Sequence, residues 1–167
     1  SASKEKIYDG YALKGEVGDI TLTGGIVYED EGYSCVITPI GSVTDCEKAV
    51  ANAYTVAIYK DGKNVTDHYY IKTTFGSLKV NAREIVITAA SATGKYGETL
   101  TCNQIEYDIN ALAETDIISS WIVEGEISNI GKTANVVRSV TILNKENKDV
   151  SDNYQITFID GILKITP

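Results

Sequence analysis

The sequence predicts an all-β chain folded as two tandem β-sandwich repeats. Three observations carry this: a phrase written twice, an apolar period of two, and turn signals at short, near-even spacing. NVTDHYYIKTTFGSLKV at residues 64–80 returns as DVSDNYQITFIDGILKI at 149–165. At an offset of 85, seven of the sixteen positions from 65 to 80 are identical: Val65/Val150, Asp67/Asp152, Tyr69/Tyr154, Ile71/Ile156, Gly76/Gly161, Leu78/Leu163 and Lys79/Lys164. Thr66/Ser151 and Val80/Ile165 keep their chemistry. A match that preserves glycine, tyrosine and apolar parity together is the mark of an internal repeat.

The match extends upstream. Val56 and Ile58 in YTVAIYK pair with Val140 and Ile142 in RSVTILN at an offset of 84, as Gly41 pairs with Gly125. The change from 84 to 85 puts one extra residue in the second turn, NKENKD against KDGKN. Gly10 and Leu13 in YDGYAL pair with Gly97 and Leu100 in KYGETL at an offset of 87. The second copy is therefore three residues shorter between these anchors, and such length changes belong in loops. Two units of about 80 residues result, a size that can fold alone. Repeat 1 covers 1–82 and repeat 2 covers 83–167.

Within each copy the apolar residues alternate. Tyr54, Val56 and Ile58 interleave with Thr55, Ala57 and Tyr59. Tyr69 and Ile71 interleave with Tyr70 and Lys72, and Leu78 and Val80 flank Lys79. This is the pattern of half-buried strands. Gly24-Gly25, Gly41, Asp61-Gly62, Gly76 and Gly131 supply the turns. Residues 45–52 and 109–116 alone have a faint helical pattern. Short strands with frequent turns predict a sandwich in each copy, closed by a hairpin at the repeated phrase. Asp67/Tyr69 and Asp152/Tyr154 stand just before a strand, where a tyrosine corner bonds back to upstream backbone; this is a structural role. The junction LKVNAREIVITAASA leaves only residues 81–83 between the repeats, a very short linker that joins them end to end as a semi-rigid rod.

Composition narrows the function. Residues 1–82 hold 8 Lys and 11 acidic residues, and 83–167 hold 7 Lys or Arg and 12 acidic residues, for a net charge of −8. Nucleic acid and anionic membrane need a basic face, and no such stretch exists here. No apolar run approaches the ~18 residues of a membrane span, so no membrane insertion is expected within this segment. SASKEKIYDG opens without a signal peptide and reads as a cut inside a longer protein, with any signal or anchor elsewhere.

At this point the residues resemble a known group. YDGYAL, the repeated phrase and AREIVITAASATGKYGETL are similar to tandem Ig-like repeats of bacterial cell-surface proteins, over essentially the whole chain. The middle element of that pattern appears as Gly41-Ser42-Val43-Thr44-Asp45 and Gly125-Glu126-Ile127-Ser128-Asn129. The resemblance implies extracellular Ig-like β-sandwich modules, cell-wall-attached or secreted, that serve as stalks projecting a terminal domain. Neighbouring repeats of the same chain are the implied partners, and no catalytic residues come with the family. Two departures stand out. Lys95-Tyr96-Gly97 replaces Tyr-Asp-Gly in the second copy, and the first copy has no counterpart of Arg83–Thr88. Repeat 1 is thus expected to miss its first strand or to recruit a substitute, leaving an edge open to another chain.

The candidates for chemistry are few. His68 is the only histidine, and its counterpart Asn153 makes a turn role the better reading. Cys35, Cys46 and Cys102 have no metal spacing; Cys35 and Cys46 could bridge, or all three could be small buried apolar residues. Glu29-Asp30-Glu31 reads as a solvated loop rather than a calcium site. Asn64-Val65-Thr66 fits a glycosylation acceptor, which a bacterial source makes coincidental. Lys79 and Lys164 have the wrong parity for a buried isopeptide crosslink. Trp121 aligns with Ile37 and reads as a core residue. Tyrosine is the oddity, with 11 Tyr against 2 Phe and eight of the Tyr in repeat 1. Tyr59 and Tyr70 have outward parity and are the binding candidates, able to stack on a glycan or anchor a host protein. No enzyme, metal or cofactor is expected. The leading expectation is a structural spacer; the alternative is an adhesin or carbohydrate-binding module.

Overall fold

A computed structural model describes residues 1–23 and 31–167. Fifteen strands and no α-helix occur among them, so the chain is all-β. It packs as two compact units, residues 1–6 with 11–81, and residues 7–10 with 82–167. Residues 7–10, which the repeat pattern gives to the first copy, thus group with the second. Gly24-Gly25, Glu29 and Asp30 lie outside the described residues.

The first unit carries β1 (Lys4–Ile7), β2 (Leu13–Lys14), β3 (Tyr33–Pro39), β4 (Ser42–Val43), β5 (Val50–Ala51), β6 (Tyr54–Lys60), β7 (Lys63–Asn64) and β8 (Ser77–Asn81). They form sheets β1-β8-β5, β2-β4 and β3-β6-β7. The antiparallel β6–β7 turn holds Asp61 and Gly62 at φ 50° and 80°, the left-handed pair that a two-residue hairpin of this hand requires. The corresponding turn of the second unit is longer by the one residue the offset change implies. There Asn147 takes the positive φ, and its N–H donates to the Asn144 carbonyl.

The second unit carries β9 (Arg83–Ala89), β10 (Ala92–Lys95), β11 (Ile105–Glu106), β12 (Asp116–Glu124), β13 (Gly131–Asn144), β14 (Tyr154–Ile159) and β15 (Gly161–Thr166). One sheet runs β10-β15-β13-β12 and the other β11-β9-β14. Alternation is followed closely where strands are paired on both sides. Ile85, Ile87 and Ala89 of β9 are buried between outward Glu84, Val86 and the half-buried Thr88, and Leu163 and Ile165 of β15 flank exposed Lys164.

Four expectations need correcting. The repeated phrase does not close as a hairpin. Only Asp160 separates β14 from β15, too little for a reversal, so the chain runs on and changes sheet. β14 pairs parallel with β9, and β15 parallel with β10. At the crossing Gly161 lies so close to the Ala89 and Ala90 carbonyls that any Cβ would clash, and Gly76 meets Ala2 the same way. Second, Tyr69–Lys72 is not a strand; residues 70–76 have no regular structure, and Ile71, expected inside, is 37% exposed. The partner that orders its counterpart is β9, and no described strand takes that place in the first unit. Third, the helical hints reduce to bends and β5 over 45–52, and to a single 3-10 turn at Ile109–Ala111. Fourth, Trp121 is half-buried, its indole N–H donating to the Asn103 carbonyl at 3.1 Å.

Candidate functional site

The repeated phrase begins with the same local construction in both units. The Val65 N–H donates to the Ile58 carbonyl at 2.8 Å, and the Ile58 N–H donates to Thr66 Oγ1 at 3.0 Å. Val150, Ile142 and Ser151 repeat this at 2.9 Å for both bonds. Thr66 and Ser151 are thus interchangeable because each needs only a hydroxyl. Each heads a 3-10 turn, Thr66–His68 and Ser151–Asn153, so His68 is a turn residue beside solvent. Asp149 accepts from the Ser151 hydroxyl and N–H, which hold its carboxyl below the usual range.

After the turn the units diverge. In the second, Tyr154 enters the core: its phenol donates to Asp116 Oδ2 at 2.6 Å and accepts from the Ala113 N–H at 3.0 Å. Burial and then the Asp116 carboxylate push this phenol well above its ordinary range. The bond to upstream backbone is the one the Asp-x-Tyr motif predicts. Tyr8 packs edge-on against it at 5.5 Å between centroids and is itself 2% exposed. Arg83 fixes the same region, its guanidinium donating to the carbonyls of Tyr8, Asn110 and Ala111.

In the first unit residues 69–73 instead line a groove of about 160 Å³. Thr21–Thr23 line it too, as do Cys35, Val56 and Ile58 of β3 and β6. Tyr54, Tyr69 and Tyr70 line it as well, with Tyr54 edge-on to Phe75 at 5.2 Å. Tyr70 is 97% exposed. Tyr59, the other candidate, is half-buried on β6 and is not part of the groove, so the two binding candidates are not brought together. Burial raises the Cys35 thiol above its ordinary range. None of the three cysteines is in a disulfide, so Cys35 and Cys46 are not bridged.

The second unit has a cleft of about 580 Å³ lined by Glu84, Val86, Glu106, Tyr107 and Asp108 among others. Among the described residues no three His, Cys, Asp or Glu side chains are placed to share a metal ion, and no helix is long and apolar enough to cross a membrane. Sequence reasoning missed one pair of residues. Asn135 is fully buried and its side-chain N–H groups donate to the Ala90 and Cys102 carbonyls at 2.8 and 2.9 Å. Asn52, 1% exposed, does the same job for the Ala2 carbonyl and Asp19 Oδ2. The Glu16 N–H and then Asn52 hold the Asp19 carboxyl below the usual range. The signal was present as Ala51-Asn52 against Ala134-Asn135, at an offset of 83.

No family model matches the chain, and no curated protein or solved structure matches it.

Proposed function

We propose that the chain is a pair of tandem Ig-like β-sandwich modules acting as a non-catalytic spacer, part of the stalk of a bacterial surface or secreted protein. One observation carries the reading: what the two units share is construction. The Thr66/Ser151 turn lock, the Asn52/Asn135 tie and the Gly76/Gly161 crossing are buried or backbone-directed in both. What could do chemistry is not repeated. His68 becomes Asn153 and Tyr70 becomes Gln155. A spacer needs its units to fold alike and asks nothing more of their surfaces. The neighbouring repeats of such a stalk are its natural partners, and its place is outside the cell.

A second reading, an adhesin or carbohydrate-binding module, is favoured by the full exposure of Tyr70 beside a groove that Tyr54 and Tyr69 also line. A glycan array probed with the 167-residue chain separates the two. The spacer reading expects no saturable binding. Saturable binding that Tyr70→Ala or Tyr59→Ala abolishes overturns it in favour of the adhesin.

A further inference from the structure

We propose that the first unit is a strand acceptor: its groove takes an extended segment of a partner polypeptide with β-branched apolar side chains at every second position. The internal repeat supports this independently of the stalk reading.

The second unit shows what such a groove holds when filled. There β9 lies between β14 and β11, parallel to the first, with register from Tyr154↔Arg83 to Ile159↔Thr88, and antiparallel to the second at Ile105↔Ala89 and Glu106↔Thr88. It packs on β13 and sends Ile85, Ile87 and Ala89 into the core at 2%, 0% and 1% exposure. In the first unit every neighbour of that strand has a counterpart. Residues 69–74 repeat β14. Residues 21–23 lie between the Leu13/Leu100 and Gly41/Gly125 anchors, as β11 does. β6, with Val56 and Ile58, repeats the Val140 and Ile142 stretch of β13. All three stretches line the groove.

The first unit also repeats the contacts made where β9 ends. The Ser77 N–H donates to Ser3 Oγ at 3.0 Å, as the Ile162 N–H donates to Ser91 Oγ at 2.9 Å, so residues 1–3 stand against Gly76 as residues 89–91 stand against Gly161. Among the described residues Tyr70, Ile71, Lys72 and Thr73 have no backbone hydrogen-bond partner, and an added strand would pair with them. Apolar groups line the groove: Leu22 is 58% exposed and Ile71 37%. A strand in the β9 register places its first inward side chain at Ile71 and its second at Thr73, over Val56 and Ile58. Alternating branched apolar residues fill that depth; charged ones do not.

The test uses the chain's own strand as probe, a fluorescein-labelled AREIVITAA peptide (residues 82–90), titrated with the 167-residue protein and read by fluorescence anisotropy. Saturable one-to-one binding is expected, with amides 70–73 gaining protection from hydrogen exchange. Leu22→Asp, at a site more than half exposed, should leave the far-UV circular dichroism unchanged and weaken binding at least about tenfold. A peptide with both isoleucines replaced by Asp should not bind. The proposal is overturned if AREIVITAA does not saturate, if the Asp peptide binds equally, or if Leu22→Asp leaves the affinity unchanged. A dimer by light scattering in which 70–73 are already protected without peptide would assign the groove to a second copy, and would also overturn it.

Discussion

Tyr154 joins three parts of the second unit: its hydroxyl donates a hydrogen bond to Asp116 and accepts one from the Ala113 N–H, while its ring meets Tyr8. Tyr154→Phe keeps the ring contact and removes both bonds. It leaves the buried Asp116 carboxylate to the Thr115 hydroxyl and leaves the Ala113 N–H buried with no acceptor. The expected cost is about 1–3 kcal/mol, read from the shift of the urea midpoint of the second unit. The pH dependence has a definite sign. A phenol whose folded pKa is raised contributes stability that is fully present below its unfolded pKa, about 10. That stability is lost as pH climbs above this value, because the unfolded phenol ionises first. Wild type should therefore lose stability more steeply above about pH 10 than Tyr154→Phe, and equal slopes would refute the buried, neutral phenol. Asn135 invites the parallel experiment. Asn135→Ala strips the Ala90 and Cys102 carbonyls of their donor and should cost about 1–3 kcal/mol. Part of that loss is offset because Asn135 Oδ1 is itself buried without a partner.

Two segments with the same seven identities fold differently, and the cause lies in a third. Residues 154–159 form β14 because β9 offers them six registered partners; residues 69–74 have none among the described residues and stay irregular. Hydrogen exchange should report this directly: amides 155–158 protected, amides 70–73 exchanging close to the unfolded rate in the free protein. Similar protection in both segments would mean that something already pairs with 69–74. The same contrast shows what was legible in the sequence. The period of two, the turn at Asp61-Gly62 and the hydroxyl at Thr66/Ser151 are local, and each could be read from its own neighbours. The absence of a counterpart for Arg83–Thr88 was also legible. Its consequence at Tyr69–Lys72 was not, since alternation records how a strand is buried once paired and is silent on whether a partner exists. The hairpin reading failed for a related reason. Apolar parity runs unbroken across Asp160, and only spatial pairing distinguishes a reversal from a strand that changes sheet. The groove was invisible because two stretches that line it, residues 21–23 and 69–73, lie far apart in the chain and neither carries a recognisable motif.

At the scale of the molecule, the missing strand ranks the two units. Among the described residues the second unit buries twelve apolar side chains below the surface: Tyr8, Ile85, Ile87, Ala89 and eight more. The first buries five, Val43, Ile58, Val65, Leu78 and Val80. Each fully buried Ile, Leu or Val contributes on the order of 1.5–3 kcal/mol relative to exposure, so β9 alone brings the second unit several kcal/mol that the first lacks. Native domains are stable by only about 5–15 kcal/mol, so a deficit of that size separates their melting temperatures. Calorimetry of the whole chain should therefore resolve two transitions, the first unit unfolding at the lower temperature. The sequence provides an internal label for the assignment, because its single tryptophan, Trp121, lies on β12 of the second unit. Tryptophan fluorescence should follow the upper transition only, while far-UV circular dichroism follows both. Added AREIVITAA peptide should raise the lower transition and leave the upper one in place, since among the described residues only the first unit lacks a strand at the β9 position. One coincident transition by both probes, or a peptide that shifts the tryptophan signal, would show that the strand deficit does not govern the stability of the first unit.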